Sequence, residues 1–514
     1  MVHQHIDLSS SAHSTRLEAA LAALVQKFEL PTEFPADVLA EAQAAVTQHD
    51  LPEEDRTDID FVTIDPASST DLDQAVFIQR EGSGYRVFYA IADVPSFVQH
   101  GGALDAETRK RGMTIYLPQG RIPLHPEVIS EDAGSLLPDQ LRSAYIWNFE
   151  LDDAANVTSV SLGRAQVKSR AKLSYDGVQK DLDAGTASES LQLLREVGEK
   201  RIALERARGG ASLRIPEQEV EADGEHFKLV QRAPLPVEDW NAQISLMTGM
   251  AAAEIMLEHK VGILRTMPAP DEPSIAKFRA QAKALGAPWS QDVKYGEFLR
   301  SLDLSDPKQL ALMHQASSLF RGAGYTAFDG EAPEEPAQSA IAAPYAHTTA
   351  PLRRLIDRFV LELCDCLVNG RPIPDTLRAA LPELPDLMQA AGQLASKTER
   401  AALDTIEAAI LASHVGEVFE GVSIEAPTAQ HLEKAQQSGR KPYGTVQLTN
   451  PPVTAKYEGN VAAGEHVRVV LKEADIEASK VSFEVAGSNS PETTGDNTGE
   501  NSGEKVAGNE HSAS

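Results

Sequence analysis

The segment Thr63-Ile64-Asp65-Pro66-Ala67-Ser68-Ser69-Thr70-Asp71-Leu72-Asp73-Gln74-Ala75 places three carboxylates within nine residues, between two apolar runs. On an extended strand alternate side chains share a face, so Asp71 and Asp73 are expected to point the same way. Asp65, at the end of the preceding run, converges on them once Pro66 to Thr70 turns the chain. Hard carboxylate oxygens in this number suit Mg²⁺ or Mn²⁺. A calcium loop does not fit, because no glycine or terminal glutamate stands at the required offsets. The competing reading is a turn, in which aspartates satisfy local backbone donors and bind nothing.

A second stretch, Tyr345-Ala346-His347-Thr348-Thr349-Ala350-Pro351-Leu352-Arg353-Arg354-Leu355-Ile356-Asp357-Arg358, carries paired arginines. Pro351 suits the first turn of a helix running through Leu363, with Thr349 as its N-cap. Arginines at a helix start can fork onto phosphate oxygens, aided by the partial positive charge of the helix end. They can equally pair with acidic neighbours on a solvated face.

The elements that must hold these residues follow from periodicity. Phe61 to Ile64 is a short apolar strand. Ala75–Gln79 and Tyr85–Ala92 flank Glu81-Gly82-Ser83-Gly84, a hairpin signal. Trp240–His259 and Pro385–His414 read as long helices, the second closed by Gly416. These belong to a mixed α+β body over residues 57–415. Ahead of it, 1–56 reads as a small helical module of helix-turn-helix size, with Leu17, Leu21, Leu24 and Val25 in one stripe. Behind it, 416–486 reads as a five-stranded OB barrel, with strands at 418–424, 443–448, 466–471 and 481–485. Residues 487–514 are Gly, Ser, Asn, Thr and Glu with few apolar groups, and are expected to be disordered.

The 514 residues, 42% hydrophobic and 24% charged, exclude a wholly disordered or fibrous chain. No apolar run is long enough to cross a membrane, and Met1-Val2-His3-Gln4-His5 does not open a secretory signal. Cys364 and Cys366 match neither a redox motif nor a zinc site, so a reducing, cytoplasmic setting is expected. The net charge of −29 is opposite to that of a nucleic-acid-coating surface. It leaves room for a polyanion held in an internal channel lined by local cations.

Together the two stretches resemble the signatures of the ribonuclease II and ribonuclease R (RNB) exoribonucleases. Ala90-Ile91-Ala92-Asp93-Val94, Arg111-Gly112-Met113-Thr114-Ile115-Tyr116-Leu117-Pro118 and Ile122-Pro123-Leu124-His125-Pro126 follow in that family's order. So do Ser169-Arg170-Ala171-Lys172-Leu173-Ser174-Tyr175-Asp176 and Lys397-Thr398-Glu399-Arg400. The resemblance implies an RNB-type core followed by an S1-type OB barrel. It implies hydrolysis of single-stranded RNA from a free 3′ end to nucleoside 5′-monophosphates, by a monomer using two Mg²⁺ (or Mn²⁺) ions. Asp65, Asp71, Asp73 and Gln74 fall on the metal positions. Asp73 and Arg353 fall on catalytic ones, the arginine beside the scissile phosphate. Tyr116 falls on a base-stacking aromatic, although spacing alone reads it as a half-buried strand tyrosine. Tyr345, Arg354, Lys172 and Glu399 complete the expected RNA contacts, and Arg164, Lys168 and Arg170 are candidates for the channel lining.

Departures from the pattern are specific. Gln74 stands where most members have Asp, and its oxygen carries no charge for a cation. Thr348 replaces an aromatic and Ala350 a serine. About 56 residues ahead of the body cannot hold the two cold-shock barrels usual in the family. The alternative these departures support is a catalytically weakened RNA-binding protein on the same fold.

Overall fold

The computed structural model describes residues 11–211, 217–223, 226–232 and 234–487. The expected disordered tail therefore lies, from residue 488 on, outside the described residues. Two helices lead, α1 (Ser11–Lys27) and α2 (Ala36–Gln48). The central sheet begins with β1 (Val62–Asp65), β2 (Gln74–Glu81) and β3 (Gly84–Ala92), then α3 (Ala103–Arg111). A small hairpin, β4 (Ile115–Leu117) and β5 (Gly120–Ile122), precedes β6 (Leu141–Leu151), β7 (Val157–Lys168) and β8 (Ala171–Ser174). The six-stranded order is β7-β6-β3-β2-β1-β8, antiparallel except for the β1–β8 pair, where Asp65 lies opposite Ser174.

Alternation in β3 explains why this sheet is buried on both sides. Val87, Tyr89 and Ile91 face a cluster with α4 (Glu189–Arg208), α5 (Pro236–His259) and α6 (Leu355–Val368). Phe88, Ala90 and Ala92 face the other way, onto Val38 and Ala42 of α2, Leu104 of α3 and Leu352. The 345–353 segment is wedged against α5 at Gly249. A Cβ there would stand 2.2 Å from Tyr345 Cε2 and 2.5 Å from the Ala346 carbonyl oxygen, so the approach requires glycine.

The 28-residue helix α7 (Leu384–Leu411) links body to barrel. Its Ala402, Ile406 and Ile410 share one cluster with Leu17, Leu21 and Leu24 of α1 and with barrel residues such as Phe483. The leucine stripe in α1 is thus buried, but not against α2. The two N-terminal helices dock on different bodies and do not form the expected two-helix module.

The barrel is closed: β9 (Val418–Glu425), β10 (Tyr443–Leu448), β11 (Thr454–Glu458), β12 (His466–Asp475) and β13 (Lys480–Val485), in the order β9-β10-β11-β13-β12. A helix, α8 (Ala429–Ser438), fills the connection between its first two strands, its N-terminus capped by the Thr428 hydroxyl. Cys364 and Cys366 are free and buried on α6. Among the described residues no helix is long and apolar enough to cross a membrane.

Candidate active site

The aspartate segment is not a strand. Residues 66–73 are irregular and β2 starts only at Gln74. Ser135 and Leu136 hold the loop: Ser135 Oγ accepts from the Leu72 N–H at 2.9 Å and donates to the Thr70 carbonyl at 2.7 Å. The Leu136 N–H donates to the Leu72 carbonyl at 3.0 Å. Leu72 is fully buried, and it anchors the loop between Asp71 and Asp73.

Asp73 is 3% exposed, accepting from the Leu352 N–H at 2.8 Å and from Arg353 Nε at 3.2 Å. Burial pushes its carboxyl up to about 7, against the pull of Arg353 and the Leu352 N–H. The Arg353 side chain, 48% exposed, keeps much of its guanidinium open to solvent while its Nε faces Asp73. Asp65, at the end of β1, is pushed up to about 6, first by burial, with Arg353 opposing and Asp71 reinforcing. Its Oδ2 is buried with no hydrogen-bond partner among the described residues. Asp71 accepts from Arg121 Nη1 at 2.7 Å and from the Tyr116 hydroxyl at 3.1 Å.

Tyr116 is 42% exposed on β4. With Leu117, Ser396, Glu399, Arg400 and Leu403 it lines a cleft of about 540 Å³ between the small hairpin and α7. Burial raises the Glu399 carboxyl, which accepts from the Tyr116 backbone N–H. Tyr116 and Glu399 are therefore neighbours in one cleft.

The expected helix start at Pro351 is displaced to Leu355. Tertiary bonds hold the preceding turn out of helical register, since the Leu352 N–H is spent on Asp73 and the Thr114 N–H takes the Arg353 carbonyl at 2.9 Å. Arg354 does not face an open site. It forms a two-pronged pair with the fully buried Asp357, which also accepts from the Ala350 N–H at 2.8 Å. Tyr345 is 8% exposed and packs edge-on against the half-buried His347, so its ring lies in the core rather than on an open surface. Lys172 Nζ donates to the Ala67 carbonyl at 2.7 Å, bracing the aspartate loop beside Asp65. Arg164 is turned onto the buried Asp93, Arg170 onto Asp60 and Lys168 onto Asp139, so each of these cations already has an acidic partner. Gln74 points its Nε2 at the Thr349 carbonyl, 2.7 Å away, and its Oε1 accepts from the Tyr89 hydroxyl.

Residues not singled out from the sequence complete the arrangement. Arg121 holds Asp71 and pairs with Glu131. His125 is fully buried with Nδ1 3.0 Å from the Leu352 carbonyl, and burial lowers it to about 3, so the ring is neutral and donates there. The only signal for Arg121 was its place one residue before the Ile122-Pro123 motif.

Among the described residues no three His, Cys, Asp or Glu side chains close into a metal cage. The donor chemistry nonetheless fits a hard cation. Asp65 has an unpartnered buried oxygen, and Asp71 lies close enough to push up the carboxyls of both Asp65 and Asp73, a concentration of negative charge that a cation would relieve. Gln74 brings no charge to such a site, and its Oε1 and Nε2 are each engaged in one bond, to Tyr89 and Thr349.

The RNB domain model matches residues 53–369, and the RNase II-type exonuclease C-terminal S1 domain model matches 417–486. Ribonuclease R of Aquifex aeolicus is 25% identical over 507 residues, covering 91% of this chain and 70% of that protein. Ribonuclease R of Escherichia coli is 28% identical over 431 residues, 77% of this chain and only 52% of that protein. Exoribonuclease 2 of Proteus mirabilis is 34% identical over 172 residues, 31% of this chain and 27% of that protein. In fold, the chain is similar to apo Mycoplasma genitalium RNase R (TM-score 0.79, 20% identity, 92% of this chain and 78% of that one). It is also similar to the yeast pseudonuclease Ssd1 (TM-score 0.67, 13% identity, 91% and 59%). With the family model spanning more than half its length, and an S1 barrel behind it, the chain belongs to the RNB family of ribonuclease R and exoribonuclease 2.

Proposed function

We propose that the chain is a metal-dependent 3′→5′ exoribonuclease that hydrolyses single-stranded RNA to nucleoside 5′-monophosphates, as a cytoplasmic monomer. The observation that carries this reading is the half-open Arg353 paired to Asp73 in a loop where the buried Asp65 oxygen lacks a partner. A protein that only binds RNA gains nothing from holding ionisable carboxylates together at that cost.

Asp65, with Asp71 and Asp73, would hold Mg²⁺ or Mn²⁺, which when bound supplies an activated water and charge compensation for the departing 3′ oxygen. Arg353, oriented through its Nε by Asp73, presents its remaining donors to the scissile phosphate and offsets the charge that builds there. Tyr116 offers its exposed ring to the terminal base in the cleft it shares with Glu399. A second cleft of about 820 Å³, between α8 and the barrel, is lined by His431, Lys434, Arg440, Lys441 and Lys456, with Glu458 and Glu473 also on its wall. Clustered cations on so acidic a chain favour a strand's phosphates. A Mycoplasma genitalium RNase R of the same fold has been seen with ribose-methylated single-stranded RNA.

A second reading, an RNA-binding protein with weakened chemistry, is favoured by Gln74 and by the likeness to a pseudonuclease. Incubation of a 5′-labelled oligoribonucleotide with Mg²⁺ and then EDTA separates the two. Stepwise shortening from the 3′ end, stopped by chelator, is the expected result. Intact but retained RNA would establish the second reading instead.

A further inference from the structure

The structure assigns Gln74 the role of a positioning residue that bolts the arginine-bearing loop to the aspartate loop, in place of the cation ligand its position first indicated. This rests on the proposed exoribonuclease site. The orientation of its amide is fixed by its partners. The Thr349 carbonyl can only accept, so Nε2 must face it, at 2.7 Å. The Tyr89 hydroxyl, buried on β3, donates to Oε1. These two bonds point the amide at Thr349 and Tyr89, and a swing of Oε1 toward a cation beside Asp65 would have to break them.

What this bolt holds is visible in the bonds around it. Asp73 and Gln74 are consecutive, and they grip the opposite loop three residues apart, at the Leu352 N–H and the Thr349 carbonyl. Asp357 takes the Ala350 N–H, His125 the Leu352 carbonyl and the Thr114 N–H the Arg353 carbonyl. Arg353 thus hangs from a backbone fixed at every second or third atom group, and Gln74 supplies the fixing point nearest the start. A carboxylate at position 74 could not donate to Thr349. It would set a negative charge against a carbonyl oxygen and beside Asp73.

The test compares wild type with Gln74→Glu and Gln74→Met, both close in volume. A ligand role ranks activity as Glu at or above Gln, with Met last. A positioning role ranks Gln first and drops Glu and Met together. We expect kcat on a single-stranded oligoribonucleotide to fall about tenfold or more in both variants with RNA affinity unchanged. Mn²⁺ affinity of the RNA-free protein, read by electron paramagnetic resonance, should not differ among the three. Amide hydrogen exchange over residues 348–353 should quicken in both variants, a readout that needs neither cation nor cleavage. If wild type cleaves no RNA, the proposed function fails while the exchange measurement still decides the role of Gln74. Tyr89→Phe, which removes one of the two bonds, should quicken the same segment to a lesser extent if either variant folds poorly. Tighter Mn²⁺ binding by Gln74→Glu, or unchanged exchange in the variants, would overturn the assignment.

Discussion

Asp73 meets Arg353 and the Leu352 N–H across 280 and 279 residues of sequence, so the pair exists only when both loops are in place. Asp73→Asn keeps the size and much of the hydrogen bonding but removes the charge that fixes the guanidinium. Single-turnover cleavage should fall by about 10²–10³ or more, the scale on which a lost transition-state interaction registers. Equilibrium binding of the same oligoribonucleotide should persist, because phosphate contacts and stacking supply most of the affinity. Loss of binding and cleavage together would mean that Asp73 holds the fold. Asp65 carries the opposite lesson. Its carboxyl is raised by burial to about 6 against an ordinary 3.8, so at pH 7 the folded state pays for the charged form. That cost is present above pH 6 and relieved as pH falls through 6 toward 4. Asp65→Asn should therefore raise the melting temperature in EDTA at pH 7–8, by about 1–3 kcal/mol of stability at most. The gain should fade by pH 4–5. In wild type, Mg²⁺ should raise the melting temperature, and in Asp65→Asn that response should vanish. A wild-type melting curve indifferent to Mg²⁺ would remove Asp65 from any cation site.

At the level of elements, the barrel connection that holds α8 makes a specific expectation. Lys434 and Arg440 project into the cleft that also contains Lys456, whose ammonium sits 5.4 Å from the Tyr443 ring centre. Lys434→Glu with Arg440→Glu should weaken binding of long oligoribonucleotides about tenfold or more and flatten its dependence on salt. Cleavage of a short oligomer that spans only the Tyr116 cleft should be unchanged, and equal losses on both lengths would count against a strand path over α8. The strands and helices were unevenly legible. The β2–β3 hairpin was readable because Glu81-Gly82-Ser83-Gly84 interrupts two alternating runs, and Gly82 does adopt a positive φ of 57°. Strand β11 was missed because Thr454–Glu458 is short, half polar and follows two prolines, which read as loop. Helix α8 was missed because its stripe is shallow, with only Ala435 buried. Around the site, Asp65, Asp73, Arg353 and Tyr116 could be found because charge or exposure is unusual in their context. Arg354 and Tyr345 belong to the same motif and serve the core, Arg354 through its pair with Asp357 three residues on and Tyr345 through its close packing on Gly249 of a distant helix. The first pairing was open to local reading, and the second depends on a contact far away in sequence.

For the whole molecule, a net charge of −29 repels a polyanion at long range, which confines productive contact to the few places where cations gather. A chain of this balance should be slow to capture nucleic acid without divalent cation and selective once it has done so. A channel shaped for ribose should hydrolyse RNA and merely retain DNA of matched length and sequence, since the 2′-hydroxyl is what distinguishes them at a contact. Side-by-side rates on the two strands are the measurement, and equal rates would rule out ribose recognition.

The burial of the α1 leucines on α7 and the barrel has a consequence for how the protein is made. Leu17, Leu21 and Leu24 leave the ribosome early, while Ile406, Ile410 and Phe483, which cover them, are synthesised about 400 residues later. At about 5–20 residues per second, that apolar stripe waits about 20–80 s for its partners. The central sheet, complete by Ser174, can form long before then. Synthesis thus has an earlier stage in which the central body gathers with a sticky helix trailing from it, and a later stage in which the segment around Ile406 to Phe483 captures that helix. A chaperone that grips short leucine-rich segments has its opening in the interval between them.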